Sequence, residues 1–381
     1  MTINRRDFLQ ASGLAAISGV SAFWLPAAAA GGVQGLRVTA TGQALISHDI
    51  CAAGYPGFEA VVAELARADV VFTDLETAIR TPHSGEPTRT RAMFSHAAEP
   101  VVLDCLESMG FNLLALANNH AWDLGTAGVL ATRDVVRARG FGHAGTGRDL
   151  AEATAAGMLA TPAATVALVA MASGRIRDGA AATPERPGVN ELRLLEDERL
   201  HPEDAARNLA AIAAAARVAD LVIAYHHNHE WGDDLARTKD WARRWAQACV
   251  DAGAHLFVAH GAPLLHGIEH YRGRLICHNL GSLVFHSRTP LGHYPAEVWE
   301  SVIVHAGFVA GRLAELELVP VALNEQGDGE DGEPGFHATR GRPTLATGAR
   351  AERILARLAG LSAALDTALV IRDGRAFLVP G

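Results

Sequence analysis

The chain has 381 residues, 49% of them hydrophobic and 20% charged, an ordinary globular composition long enough for one large domain or two modest ones. Its formal net charge is -9 and it carries no basic stripe, which argues against a nucleic-acid partner, since nothing in it could neutralise a run of phosphates. Eighteen histidines is a high count, and many fall in two clusters; the four cysteines, Cys51, Cys105, Cys249 and Cys277, form no CxxC pair, so a zinc ribbon is excluded and buried thiols are expected.

Residues 1–30 read as an export address. Arg5 and Arg6 form a twin-arginine pair in Asn4-Arg5-Arg6-Asp7-Phe8-Leu9-Gln10, a mildly apolar stretch follows over 11–25, and small residues close it near Ala30. Gly13 and Gly19 interrupt the apolar stretch, which is short for a membrane span. The expected mature protein is therefore exported, periplasmic or extracellular.

After the address, short apolar runs alternate with amphipathic stretches, the pattern of an α/β protein. Strands are predicted over 36–40, 70–72, 112–117, 165–171, 221–225 and 255–259. Helices are predicted over 58–68, 99–109, 125–139, 202–218 and 239–252, the last capped by Gly253. Beyond residue 260 the pattern turns β-rich. Arg272-Gly273 and Ala310-Gly311-Arg312 read as the turns of two hairpins. A Gly-, Asp- and Glu-rich stretch over 324–343 reads as a loose loop. A helix over 348–365 and a small hairpin at Asp373-Gly374 end the chain. Residues 36–320 are thus expected to form the main domain, with 321–381 packed on it.

The unusual polar residues nearly all fall just after a predicted strand, the edge where open α/β sheets bind ligands. These are Thr41-Gly42-Gln43 with His48-Asp49 further on, Asp74-Leu75-Glu76, the run 117–125 around Asn118-Asn119-His120 and Asp123, the run 226–232 opened by His226-His227-Asn228-His229, and the run 259–269 with His260 and His266. A divalent manganese, iron or zinc ion takes mixed nitrogen and oxygen ligands and leaves positions open. Glu76, Asn119, His226 and His260 supply such a set, each from a different strand end. Asp123 is placed to orient His120 as a proton donor beside the metal. Taken singly, each has a plainer reading: a solvated turn glutamate, an Asn cap, a polar loop. Their common position at strand ends favours the site.

Several of these runs resemble one family. Asn118-Asn119-His120 followed by Asp123 and Gly125 is similar to its ANNHxxDxG motif, and Asp74-Leu75-Glu76 to its NLE motif. Asp251-Ala252-Gly253-Ala254, then Ala259-His260 and Gly267-Ile268-Glu269, resemble its DAGAD, GHxPH and xIE run. Asn279-Leu280-Gly281-Ser282-Leu283-Val284-Phe285 resembles SLGNFxF, and Arg186-Pro187-Gly188-Val189 its RPGV segment. The chain is thereby identified as a member of the CapA family, linked to poly-γ-glutamate capsule synthesis and similar to the calcineurin-like metallophosphoesterases.

That resemblance implies a four-layer α/β/β/α sandwich with a dinuclear metal centre. It implies Glu76 as a bridging ligand, Asn119, His226 and His260 as ligands of one metal, and His120 as the catalytic acid. Two positions depart from the family pattern: Gln43 stands where an Asp is usual, and Pro263 where a second His is usual. His48, Asp49, His229 and His266 are the candidate replacements, and one ion or two are both open. The function is then either a metal-dependent hydrolase or a non-catalytic accessory of polymer assembly. The hydrolase would act on a phosphoester or an amide in a γ-glutamyl or peptide polymer; metal-assisted proton abstraction next to a carbonyl is a related chemistry. An anionic polymer or peptide substrate is the expected partner, with Arg89, Arg91 and Arg186 available to meet it, and membrane-bound polymer synthesis proteins are candidate partners too.

Overall fold

The computed structural model describes residues 35–52, 54–88, 95–232 and 234–379. The expected export address and the arginines Arg89 and Arg91 lie outside the described residues.

Strands Leu36–Ala40, Val70–Asp74, Leu113–Ala115 and Gly142–Ala144 lie parallel and side by side in that order. Helices Phe58–Leu65, Val101–Ser108 and Gly125–Ala138 return the chain between them. The next stretch repeats the plan. Thr165–Ser173, Leu221–Asn228, Leu256–His260 and Arg274–Cys277 are parallel neighbours, and helices Pro202–Ala215 and Asp240–Asp251 supply crossovers. Pro202 at the first helical position and Glu203 and Asp204 in the first turn suit the start of a helix, where backbone N–H groups are unpaired and the dipole is positive. Antiparallel strands Gly157–Ala160 and Ile268–Tyr271 close the edges of this six-stranded sheet. The long hairpin Glu300–Val309 and Arg312–Leu323 then pairs back onto Leu36–Ala40, and Pro343–Leu345, Leu369–Arg372 and Arg375–Leu378 bring the first sheet to nine strands.

Strands of this kind are buried on both faces, so their two parities have different neighbours. Val38, Ala40, Phe72 and Leu113 of the first sheet meet Leu168, Ile223, Val258 and Cys277 of the second across a shared interior. The opposite parity of the first sheet, Val71, Leu114 and Ile303, packs on Val61, Leu65, Val102 and Leu106 of the helices. In the second sheet Val169, Val222 and Phe257 pack on Ile212, Trp245 and Cys249. Each buried Val, Leu, Ile or Phe among them contributes about 1.5–3 kcal/mol relative to exposure.

Three expectations change. Residues 324–343 are not all loose: Pro334–Thr339 is a short helix, Phe336 is buried, and the Arg340 guanidinium lies 4.8 Å over the Trp299 ring. Aromatic and cation–π contacts here outweigh a turn-rich composition. The strand predicted over 221–225 runs on through Asn228 because Thr165–Ser173 supplies a pairing partner along its whole length. Of the four cysteines, Cys249 and Cys277 are buried thiols, but Cys51 and Cys105 form a disulfide with Cα atoms 5.5 Å apart. The C-terminal helix Gly348–Ala363 contributes Ile354, Leu355 and Leu358 to the interior between the sheets, and Ser362 Oγ accepts from Ile268 N at 2.9 Å.

Candidate metal centre

The carboxyl ends of the parallel strands of both sheets converge on one place. The first sheet brings Asp74 and Glu76 there, at the end of Val70–Asp74. It also brings Asn118, Asn119 and His120, just past Leu113–Ala115. From the second sheet comes His227. Strand alternation puts Tyr225 and His227 on the inner face with Leu221 and Ile223, and turns His226 to the helix face with Val222 and Ala224.

His227 is the hub. Its Nε2 lies 2.8 Å from Asn119 Oδ1 and 3.6 Å from Glu76 Oε1. Its Nδ1 lies 3.1 Å from Asp74 Oδ2 and 3.1 Å from the Tyr225 hydroxyl. Asn118 fixes the frame: its Nδ2 donates to Asp74 Oδ1 at 3.0 Å and Leu75 O at 2.8 Å, and its Oδ1 accepts from His120 N at 3.1 Å.

A second arm reaches the same point. His120 Nδ1 lies 2.8 Å from Asp123 Oδ2, which leaves Nε2 on the side of Glu76, 3.9 Å from Oε1. Asp123 is fully buried. Its carboxylate also accepts from His96 N at 2.5 Å and from the buried Arg177 guanidinium, which in turn holds Thr88. The His96 ring packs edge-on against His120 with centroids 4.5 Å apart. Burial first, then the charges of His120, Arg288 and His286, hold His96 well below the ordinary histidine range.

The residues present fit a divalent ion. Glu76 Oε2 and both ring nitrogens of His229 are buried without a hydrogen-bond partner among the described residues, which is costly unless something else meets them. Ligand atoms of Glu76, His227 and His229 all lie within 4.8 Å of one another. Burial, then the charges of Asp74 and Asp123, push the Glu76 carboxyl well above its ordinary range, a carboxylate arrangement a cation would relieve. His229 is driven low by burial, then by the charges of His227, Arg175 and His120, so its imidazole is neutral and free to ligate. Asp74 beside His227 Nδ1 is the usual way a carboxylate orients a metal-ligating imidazole.

Of the residues singled out in the sequence, Glu76, Asn119, His120, Asp123 and His229 come together. His226 does not: its Nε2 meets Ser173 Oγ at 2.8 Å and its ring faces Trp241, because it has the wrong strand parity. His260 stands beside His227 in register, its ring nitrogens meeting Thr41 O at 3.0 Å and the Tyr225 hydroxyl at 3.2 Å, outside the group of Glu76, His227 and His229. Gln43 is a strut, its Oε1 accepting from Gly261 N at 3.0 Å. His266 is held by Thr238 Oγ1 at 3.0 Å and Leu235 O at 2.8 Å. His48 packs against His286 with ring centroids 5.4 Å apart, and Asp49 caps its own turn by accepting from Cys51 N at 2.8 Å. Arg186 donates to Ala181 O at 2.9 Å. The centre uses His227, Asp74, Asn118, Tyr225, His96 and Arg177, none of which was assigned a role from sequence; only Asp74, Asn118 and His227 lay inside runs already marked.

A family model for bacterial capsule synthesis proteins, PGA_cap, matches residues 37–287. The chain belongs to this family. An uncharacterized protein of Sinorhizobium fredii, y4sH, is 29% identical over 90% of this chain and 92% of its own length. The PGA biosynthesis protein CapA of Bacillus subtilis is 31% identical over 47% of this chain and 44% of that protein. A probable polyglutamine synthesis accessory protein of Mycobacterium tuberculosis is 27% identical over 71% of this chain and 70% of that one. Among solved structures, a 5'-nucleotidase precursor from Thermus thermophilus aligns with a TM-score of 0.41 and 10% identity, over 75% of this chain and 54% of that one. Likeness at that level carries no argument about the site. The PGA_cap match contains every residue of the candidate centre and stops before the long hairpin Glu300–Val309 and Arg312–Leu323. Among the described residues no helix is long and apolar enough to cross a membrane.

Proposed function

We propose that the chain is an exported, metal-dependent hydrolase of capsule or envelope polymer metabolism, of the poly-γ-glutamate type. The observation that carries the reading is the buried Arg177–Asp123–His120 arm, which ends beside the unpartnered Glu76 and His229 atoms. A scaffold has no use for an imidazole oriented in this way. Glu76, His227 and His229 would hold one divalent ion, with Asn119 beside them, and the ion would supply Lewis-acid polarisation of a phosphoryl or carbonyl oxygen. Asp123 fixes the His120 ring through Nδ1, so Nε2 is the atom that gives a proton to a leaving group on the Glu76 side. Asp74 and Tyr225 orient His227 from behind.

The polymer assignment draws on family membership and on the named roles of the Bacillus and Mycobacterium relatives. Export draws on the twin-arginine pattern, with the Cys51–Cys105 disulfide as a feature at home outside a reducing cytoplasm. Elemental analysis of the folded protein, purified without chelator, tests the reading together with turnover of phosphoester and γ-glutamyl amide substrates. Close to one transition-metal ion per chain is expected. His120→Ala should keep that ion and lose about 10²–10⁴-fold in turnover. No ion after reconstitution, or unchanged turnover in His120→Ala, would overturn it.

One observation favours an accessory role instead. Gln43 and His260, at positions where the resemblance implies ligands, are spent on backbone contacts. Polymer production that persists in a His120→Ala strain would support that alternative.

A further inference from the structure

Strand Thr165–Ser173 ends against the loop that carries His229, whose N–H donates to Ser173 O at 2.8 Å. The next two residues, Gly174 and Arg175, both have positive φ, 70° and 53°. Glycine adopts this freely, and only glycine fits at 174, where a Cβ would lie 2.9 Å from the His229 carbonyl carbon. An arginine held in this region is strained, and its surroundings must impose the conformation. Arg175 shares it with Glu198, Arg272, Ala310, Asp366 and Asp373; of these Arg272, Ala310 and Asp373 sit in tight hairpin turns, and Arg175 does not.

The conformation sets the position of the guanidinium. Arg175 Cζ lies 5.4 Å from the centre of the Trp231 ring. The Trp231 indole packs at a tilt against the His229 imidazole with centroids 4.3 Å apart, and His229 against His227 at 4.9 Å. The cation is therefore exposed, one aromatic ring away from a candidate ligand. Among the described residues no carboxylate lies within ion-pair distance of it, in a chain with 42 acidic residues and a net charge of -9. Arg177, two residues on, contrasts with it: that guanidinium is buried and committed to Asp123. An exposed arginine over an indole, without an ion-pair partner among the described residues and held by a strained turn beside the candidate centre, is pre-organised for a planar anion.

We infer that Arg175 and Trp231 form an anion-binding subsite at the rim of the centre, which takes a carboxylate or phosphate group of the substrate. The inference rests on the hydrolase reading above, and adds to it the substrate group that is recognised and the side chain that recognises it.

The test is calorimetric binding of two probes, poly-γ-glutamate and inorganic phosphate, to the full mature chain, with metal content and urea unfolding measured on each sample. Wild type should bind at least one probe, more weakly as salt rises. Arg175→Ala should weaken that binding by about tenfold or more, with ion content and unfolding midpoint unchanged. Arg175→Lys should recover only part, since an ammonium lacks the planar fork. Arg186→Ala, the control, should bind as wild type does. Loss confined to phosphate would assign a phosphoryl group, and loss confined to the polymer a carboxylate; either supports the subsite. Equal binding by Arg175→Ala and wild type, or binding of neither probe by wild type, would overturn it. Binding that depends on Arg175 in a protein that never holds an ion would keep the subsite and remove the hydrolase reading, so the two fail separately.

Discussion

Removing the Arg177 guanidinium should expose how much of the His120 arm depends on a buried charge pair. In the folded chain the Arg177 side chain is 5% exposed and that of Asp123 0%. Arg177→Met keeps the apolar stem but strands the Asp123 carboxylate with the His120 ring and the His96 N–H as its remaining partners. Breaking a buried pair from one side costs about 3–5 kcal/mol, because the surviving charge stays out of water. Two partners remain on Asp123, so the lower end, about 3 kcal/mol, is expected. The double variant Arg177→Met with Asp123→Asn leaves no stranded charge. It should be more stable than the sum of the two single losses by about 1 kcal/mol or more. Urea unfolding of the four proteins in the presence of chelator measures both quantities without interference from a bound ion. A cost under about 1 kcal/mol for Arg177→Met, or strict additivity in the cycle, would refute the pairing as described.

Three further outcomes are expected. His227→Ala should lose the ion while His226→Ala keeps it, read by elemental analysis; the reverse would restore His226 to the ligand set and displace the strand parity argued above. Chelation should lower the stability of wild type, by about 2.7 kcal/mol relative to protein with free ion at a hundred times its dissociation constant, and leave that of His227→Ala unchanged; a wild-type unfolding curve indifferent to chelator would refute the site. Burial would raise the Glu64 carboxyl, but hydrogen bonds from Arg375 and Arg67 prevail and bring it down to about 2. A depressed folded-state pKa means that Glu64 stabilises the fold above its unfolded value near 4.5 and that this is lost as pH falls towards 2. Wild type should therefore lead Glu64→Gln in stability at neutral pH and lose that lead across this acid window, as followed by urea unfolding at stepped pH; a lead that is constant with pH would contradict the ion cluster.

The elements were legible because apolar runs of strand length alternate with helical ones and are punctuated by glycines, so most boundaries fell within a few residues. The site's location was legible for the same reason, since strand ends are visible once strands are. Which histidine enters it was not. Val222, Ala224 and His226 face helices and Ile223, Tyr225 and His227 face the other sheet, yet both sets are buried, so no polar alternation distinguishes the two faces. Arg177 was invisible because it lies 54 residues from Asp123 in the chain, within a loop of no distinctive composition. The Cys51–Cys105 pair has the same difficulty, being also 54 residues apart. Asn119, His120 and Asp123 were found because a local motif holds all of them within one turn.

The departure at Gln43 looks like a loss in the sequence and takes on another meaning in the fold. Gly261, with φ of 118°, brings its backbone so close to Asn228 that a Cβ would lie 2.0 Å from the Asn228 carbonyl oxygen. Its N–H is then buried and needs an acceptor, and Gln43 Oε1 supplies it at 3.0 Å. Gly42 makes a matching approach, where a Cβ would lie 2.5 Å from the Ser282 carbonyl carbon. His260 completes the joint by reaching from the second sheet to Thr41 O in the first. The neutral glutamine side chain closes this joint without burying a further charge. Gln43 and His260 thus tie the two sheets together beside the place where Glu76 of one sheet meets His227 of the other.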